Sequence, residues 1–174
     1  VAEHFVEDLR EAVAYANDRF VAVGTCGTIW TSFNGTNWFD RSWTSTATLN
    51  AVAFGAGKYV IGGTGGTILN STNGTNFTAQ SSGTTRDFET VLFYQNAFYA
   101  IGPEGQNFLS ADGVAWKSSF SGTLDLLYAS TVGDNTPVAA GRNGMVLRVP
   151  TETLHHFEWY TNVTPKPVNQ AFSV

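Results

Sequence analysis

The sequence holds one cysteine, Cys26, and one methionine, Met145, in 174 residues. A single cysteine excludes an internal disulfide framework, so the fold must rest on a packed core, which this length allows. Charged residues make up only 13%, about half the usual share. With 43% hydrophobic residues, that scarcity excludes a disordered tail and a coiled coil. Nine Lys and Arg stand against fourteen Asp and Glu, for a net charge of −5. A nucleic-acid groove or an anionic membrane surface is therefore not the expected partner. No apolar run reaches the roughly 18 residues of a membrane-spanning helix. No signal peptide is visible, and the chain begins at Val1, so it reads as a processed or trimmed piece. What is plentiful is glycine, at 18 residues, with threonine and aromatics, a β-rich composition.

Those glycines are periodic. Gly24-Thr-Cys-Gly27 recurs as Gly63-Thr-Gly-Gly66, Gly102-Pro-Glu-Gly105 and Gly141-Arg-Asn-Gly144, each step 39 residues. Ser32, Ser71 and Ser110 keep the same step, as do Asn34, Asn73 and Asp112, each followed by glycine. An aromatic closes the phrase at Trp38, Phe77 and Trp116, and Val13, Val52 and Val91 lie eleven residues before the first glycine. The fourth copy keeps Gly141 and Gly144 but carries Val149, Thr151 and His155 at the later positions, as a terminal repeat often does.

Each unit reads as four short strands, in the second copy Val52–Phe54, Lys58–Ile61, Thr67–Ser71 and Phe77–Ala79. The Asn-Gly and Asp-Gly pairs are expected to form hairpin turns with positive φ at both central residues. Four strands in 39 residues is the size of one β-propeller blade. Val6–Val13 has helical propensity, but the repeat register assigns 12–15 to the first strand and leaves 5–10 open. The expected fold is all-β, with about four antiparallel blades at 9–47, 48–86, 87–124 and 125–160. Residues 1–160 then form one domain and 161–174 an extended tail. Three closures fit the count: a four-bladed ring, part of a larger propeller, or a ring completed by oligomerisation.

The phrases Ser32–Trp38, Ser71–Phe77 and Ser110–Trp116 resemble Asp-box motifs, also called bacterial neuraminidase repeats. The preceding Val21-Ala-Val-Gly24 and Gly27-Thr-Ile29 pattern is similar to the blades of photosystem II stability/assembly-factor-like propellers. The resemblance covers residues 9–120 well and 121–160 weakly. It implies that Ser32, Asn34, Gly35 and Trp38, with Ser71, Asn73, Gly74 and Phe77 and with Ser110, Asp112, Gly113 and Trp116, are structural. They would shape the hairpin between the third and fourth strands. Two boxes carry Asn for Asp, and the spacing is one residue shorter than the fullest form; Asn still accepts the turn's hydrogen bonds. The family includes sialidases, other glycan-active enzymes, assembly factors, sorting receptors and virion proteins, so the motif marks fold and not activity.

No catalytic set converges. Sialidase chemistry, as the resemblance implies it, needs three arginines gripping a carboxylate. Of Arg10, Arg19, Arg41, Arg86, Arg142 and Arg148, Arg19 falls near a hairpin on the face opposite the expected pocket, Arg41, Arg86 and Arg142 fall in loops of the other face, and no Arg-Ile-Pro phrase occurs. Asp87, Glu104 and Asp125 share a rim in the strand reading but read as solvated loop acids. His155, His156 and Glu158 lack metal-ligand spacing, and His4 is distant. Cys26, with no nearby His or Asn, reads as a buried or semi-buried small residue. The sequons at Asn34, Asn70, Asn73, Asn76 and Asn162 read as unglycosylated, three of them arising inside the repeated phrase.

Loops carry function where the scaffold is spent on packing. The candidate binding face combines loops between second and third strands (25–26, 64–65, 103–104 and 142–143) with loops between units (40–48, 80–87 and 118–125). It offers Arg41, Trp43, Arg86, Asp87, Glu104, Phe120, Arg142 and Asn143. Trp43 beside Arg41 suits a sugar ring or a partner's anchor, unless it packs between blades. The expected function is a non-catalytic interaction scaffold with a protein partner or with itself, without cofactor or metal, in a virion (as in phage tail or capsid decoration) or cell-surface setting. The alternatives are a glycan-binding or glycoside-hydrolysing propeller and a photosystem assembly factor.

Overall fold

The structure, a computed structural model, describes residues 11–103, 106–120, 127–134, 136–141 and 146–148. Among the described residues, fifteen strands fall into four antiparallel sheets. The first holds β1 (Ala12–Ala16), β2 (Arg19–Val23), β3 (Ile29–Ser32) and β4 (Trp38–Asp40). The second holds β5 (Leu49–Gly55), β6 (Lys58–Gly63), β7 (Ile68–Ser71) and β8 (Thr78–Gln80). The third holds β9 (Thr90–Tyr94), β10 (Ala97–Ile101), β11 (Gln106–Ser110) and β12 (Lys117–Phe120). Among the described residues the fourth has three strands, β13 (Leu127–Gly133), β14 (Thr136–Gly141) and β15 (Val146–Arg148). Strands follow chain order across each sheet. The first strands lie side by side, β1 against β5, β5 against β9 and β9 against β13. This is the expected all-β, four-unit architecture.

The first hairpin of each sheet has a two-residue loop. Asn17 and Asp18 (φ 48° and 53°), Ala56 and Gly57 (45° and 72°), and Gln95 and Asn96 (45° and 60°) all have positive φ. That turn type follows the natural twist of the strands. The expectation of such turns at Asn34-Gly35, Asn73-Gly74 and Asp112-Gly113 is overturned. There only the glycine has positive φ, at 74°, 65° and 68°.

Alternate strand residues point to opposite faces, and the two faces of each sheet differ in bulk. Ala12, Ala16, Val21, Val23 and Ile29 of the first sheet meet Leu49, Val52, Phe54, Tyr59, Ile61, Leu69 and Phe77 of the second. Ala51, Ala53, Val60 and Ile68 of the second meet Phe88, Val91, Phe93, Phe98, Ala100, Phe108 and Trp116 of the third. Leu92, Tyr94, Tyr99 and Ile101 then meet Leu127 and Ala139. The fit is close. A Cβ on Gly55 would enter the Phe93 ring, and one on Gly62 would stand 2.6 Å from a Val91 methyl. Polar ties cross the same seams. The Tyr59 hydroxyl donates to the carbonyls of Ala16 and Arg19, the latter at 3.1 Å. Asn70 Nδ2 donates to the Gly113 carbonyl at 2.9 Å, and Lys58 Nζ to that of Asp112 at 2.8 Å.

One buried position breaks the repeat. Ile29 and Ile68 are buried, and one further 39-residue step is Asn107, also buried, with neither side-chain polar atom hydrogen-bonded. A buried unpaired amide costs about 1–3 kcal/mol. Replacing Asn107 by Ile is therefore expected to stabilise the protein by about 1–3 kcal/mol in denaturant unfolding.

Candidate functional site

At one rim of the sheets the repeated Ser and Asn/Asp residues close the hairpins between third and fourth strands. Ser32 Oγ donates to Asn34 Oδ1 at 3.2 Å and accepts the Gly35 N–H at 2.9 Å. Asn34 Oδ1 also accepts the N–H groups of Thr36 and Asn37 at 3.0 and 2.9 Å. Ser71 and Asn73 repeat the pattern, with Oδ1 accepting from Thr75 and Asn76 at 2.9 and 3.0 Å. In the third unit Asp112 accepts from Ser110 Oγ, Val114 N and Ala115 N at 3.0, 2.9 and 2.9 Å. These backbone N–H groups, and then Ser110, hold the Asp112 carboxyl below the usual carboxylate range. The aromatics anchor the turns. Trp38 Nε1 donates to the Gly35 carbonyl at 3.1 Å, and Phe77 and Trp116 pack on successive inter-sheet cores. Arg19 joins this rim, its guanidinium 4.0 Å from the Phe33 ring centroid.

Among the described residues, the opposite rim gathers loops 25–26 and 64–65 of one predicted set with 40–48 and 80–87 of the other. Gly27 N donates to the Ala47 carbonyl at 2.7 Å, and Thr64 N to that of Thr48 at 2.9 Å. Thr48 N in turn donates to Thr64 Oγ1 at 3.0 Å. The glycines let the loops cross. At Gly27 (φ 71°) a Cβ would strike the Trp43 carbonyl, and at Gly66 (φ 74°) the Thr84 carbonyl. An open groove of about 640 Å³ lies there, lined by Gly66 and residues 80–86. Its lining is glycine, serine, threonine and glutamine with Arg86, and the Ser82 and Thr84 hydroxyls bond within the loop itself.

Of the predicted face residues, Arg86 lines this groove. Asp87 turns inward, its carboxylate accepting the Gly65 N–H at 2.8 Å. Arg41 and Trp43 lie on the preceding loop. Arg41 is exposed, 5.9 Å from the Phe39 ring centroid, and Trp43 is half-buried against the core between first and second sheets. Ser42, bonding by side chain and backbone, and Arg41 hold the Asp40 carboxyl below its ordinary range. Phe120 ends β12, with its side chain outside the described residues, as are Glu104, Arg142, Asn143, Asp125, His155, His156 and Glu158. Cys26 corrects its expectation. It is exposed, at φ 53° on the tip of the turn where the next unit has Gly65 at φ 65°. Among the described residues no three metal-ligating side chains converge. The sequence singled out none of the groove's Ser82, Thr84 and Gln80; a Ser/Thr/Gly loop carries no signal beyond its place between two units.

Glu11, Asn50 and Glu89 occupy equivalent places in three successive sheets, one 39-residue step apart. Burial, then the charges of Asp87 and Glu11, push the Glu89 carboxyl above its ordinary value.

No family model matches the sequence, and no curated protein matches it. By shape the chain is similar to solved β-propellers. YCF48 from Cyanidioschyzon merolae superposes with a TM-score of 0.69 at 15% identity, over 88% of this chain and 56% of that one. YCF48 bound to D1 peptide gives 0.69 at 15% identity, over 89% and 55%. BamB from Moraxella catarrhalis gives 0.67 at 13% identity, over 87% and 48%. The chain thus spans about half the length of these proteins. The architecture is that of a β-propeller.

Two outcomes follow for stability. Gly66→Ala combines positive φ with a backbone collision and should cost about 2 kcal/mol or more, whereas Gly65→Ala, which faces open space, should cost about 1 kcal/mol. Chemical denaturation of the two variants reads the difference. A raised carboxyl pKa in the folded state penalises the charged form, so the penalty is full above that pKa and absent below the ordinary one. Glu89→Gln should therefore stabilise at neutral pH, by under about 1 kcal/mol given its solvent access, and the gain should vanish as pH falls through the carboxylate range. Melting curves across pH check the sign.

Proposed function

We propose that this chain is a non-catalytic β-propeller scaffold that binds an extended polypeptide at the rim where the two loop sets meet. The groove beside residues 80–86 carries the reading. It is open and lined by small polar residues, which suits an extended peptide better than an enclosed small molecule. Arg86 at this groove favours a segment bearing a carboxylate. A solved propeller of the same architecture, YCF48, is bound to a D1 peptide, which lends support. Arg41 and Trp43 flank the site on the preceding loop, and Glu104, Phe120, Arg142 and Asn143 belong to the same loop sets. Trp43, half-buried against the core between first and second sheets, packs between units and is not assigned a binding role.

We read the three serine-closed turns as Asp-boxes, which fix the scaffold and take no part in binding. Residues 1–160 are assigned to one propeller domain and 161–174 to a tail.

An array of extended acidic peptides and their amidated counterparts tests the function, with hits remeasured in solution. Selection of acidic peptides is expected, with affinity falling at least about fivefold in Arg86→Ala while the circular dichroism of the folded chain is kept. Binding confined to a glycan array and lost in Trp43→Ala, or turnover of a fluorogenic glycoside, would contradict the proposal.

A further inference from the structure

The bulky and small faces that pair inside the chain recur at its two ends. Inside, the Phe93 ring of the third sheet lies over Gly55 of the second. Two 39-residue steps (78 residues) before Phe93 is Tyr15, and 78 after Gly55 is Gly133. Tyr15 sits on the first sheet's outward face and is 58% exposed, with Val13 beside it at 64%. It stacks on Phe20 at 4.5 Å between ring centroids, as Phe93 does on Phe98 at 4.7 Å. The first sheet thus presents the aromatic face that in the second and third sheets is packed on a predecessor. The fourth sheet presents the opposite face. Ala129, Thr131 and Gly133 repeat Ala51, Ala53 and Gly55, and all three are exposed. A Cβ on Gly133 would meet nothing within 4 Å. Val146 stands where Ile68 stands in the second sheet, yet it is 40% exposed where Ile68 is 1%.

We propose that these two faces dock a second copy of this chain head to tail, the aromatic face of one first sheet on the small face of the other's fourth. Each end repeats one side of the interface already present between second and third sheets at the same register, except that Ala140 stands where Gly62 meets Val91, so the Val13 side chain must shift to clear the added methyl. The chain's own fourth sheet offers Ala129, Thr131 and Gly133 at the spacing that Ala51, Ala53 and Gly55 present to Val91 and Phe93. The exposure of Val13, Tyr15 and Val146 within one chain shows that the two ends do not cover each other. Two copies of this chain exchanging both faces close a two-fold ring. The proposal is independent of the peptide groove, which lies at the rim.

Sedimentation velocity on the 174-residue chain over a concentration series is the first test, and a reversible dimer is expected. Tyr15→Ser and Gly133→Leu, both at exposed positions, should each weaken the dimer at least about tenfold without loss of circular dichroism. In a Cys26→Ser background, Tyr15→Cys with Gly133→Cys should give a covalent dimer on oxidation. A chain that stays monomeric, a dimer indifferent to both substitutions, or a disulfide formed within one chain would each overturn the proposal.

Discussion

A four-stranded sheet with two apolar faces cannot stand alone in water, and the need to cover both faces is the constraint on which this structure depends. The solution is a bulky face laid on a small one. Phe93 over Gly55 and Val91 against Gly62 leave no room for a single added carbon. That closeness sets the step between sheets, and the step sets everything at the rims. Where sheets approach this tightly, the linking loops must cross backbone on backbone. The Thr48 and Thr84 carbonyls therefore lie where a side chain at Gly63 or Gly66 would be.

The two rims divide the labour. At one, Ser32, Ser71 and Ser110 and their Asn or Asp partners satisfy the turn's own N–H groups. A rim so occupied has few donors left to offer. At the other, the glycine turns hold the loops largely by backbone bonds, with Thr64 and Asp87 adding side-chain ones. The groove lies on that side, next to Gly66. The Asp87 carboxylate is spent on the Gly65 N–H.

The fold was legible because its strictest requirements fall on residues that nothing else replaces. A glycine with positive φ against a carbonyl must stay glycine, so Gly27 and Gly66 announce the 39-residue step. The turns were less legible. Asn-Gly serves both a two-residue hairpin and a turn closed by the Asn side chain, and only the serine two residues earlier separates them. The true two-residue hairpins include Gln95-Asn96 and Ala56-Gly57, whose composition gives little notice. Cys26 was misjudged because its residue type suggests burial, whereas its turn-tip backbone places it outside. The loop sets of the candidate site could be drawn from the repeat, but the groove within them depends on how residues 80–86 fold over Gly66, which no motif encodes.

If face-on-face packing is what stabilises each sheet, sheets cannot open one at a time. Native-state hydrogen exchange of β6 against β10, in the second and third sheets, measures this most directly. The account predicts that the amides of Val60 and Ile61 and those of Tyr99 and Ala100 exchange with one shared opening free energy. Truncating Val91 at the seam should lower both together. Separate opening energies for the two sheets, or a Val91→Ala effect confined to β9 and β10, would contradict it.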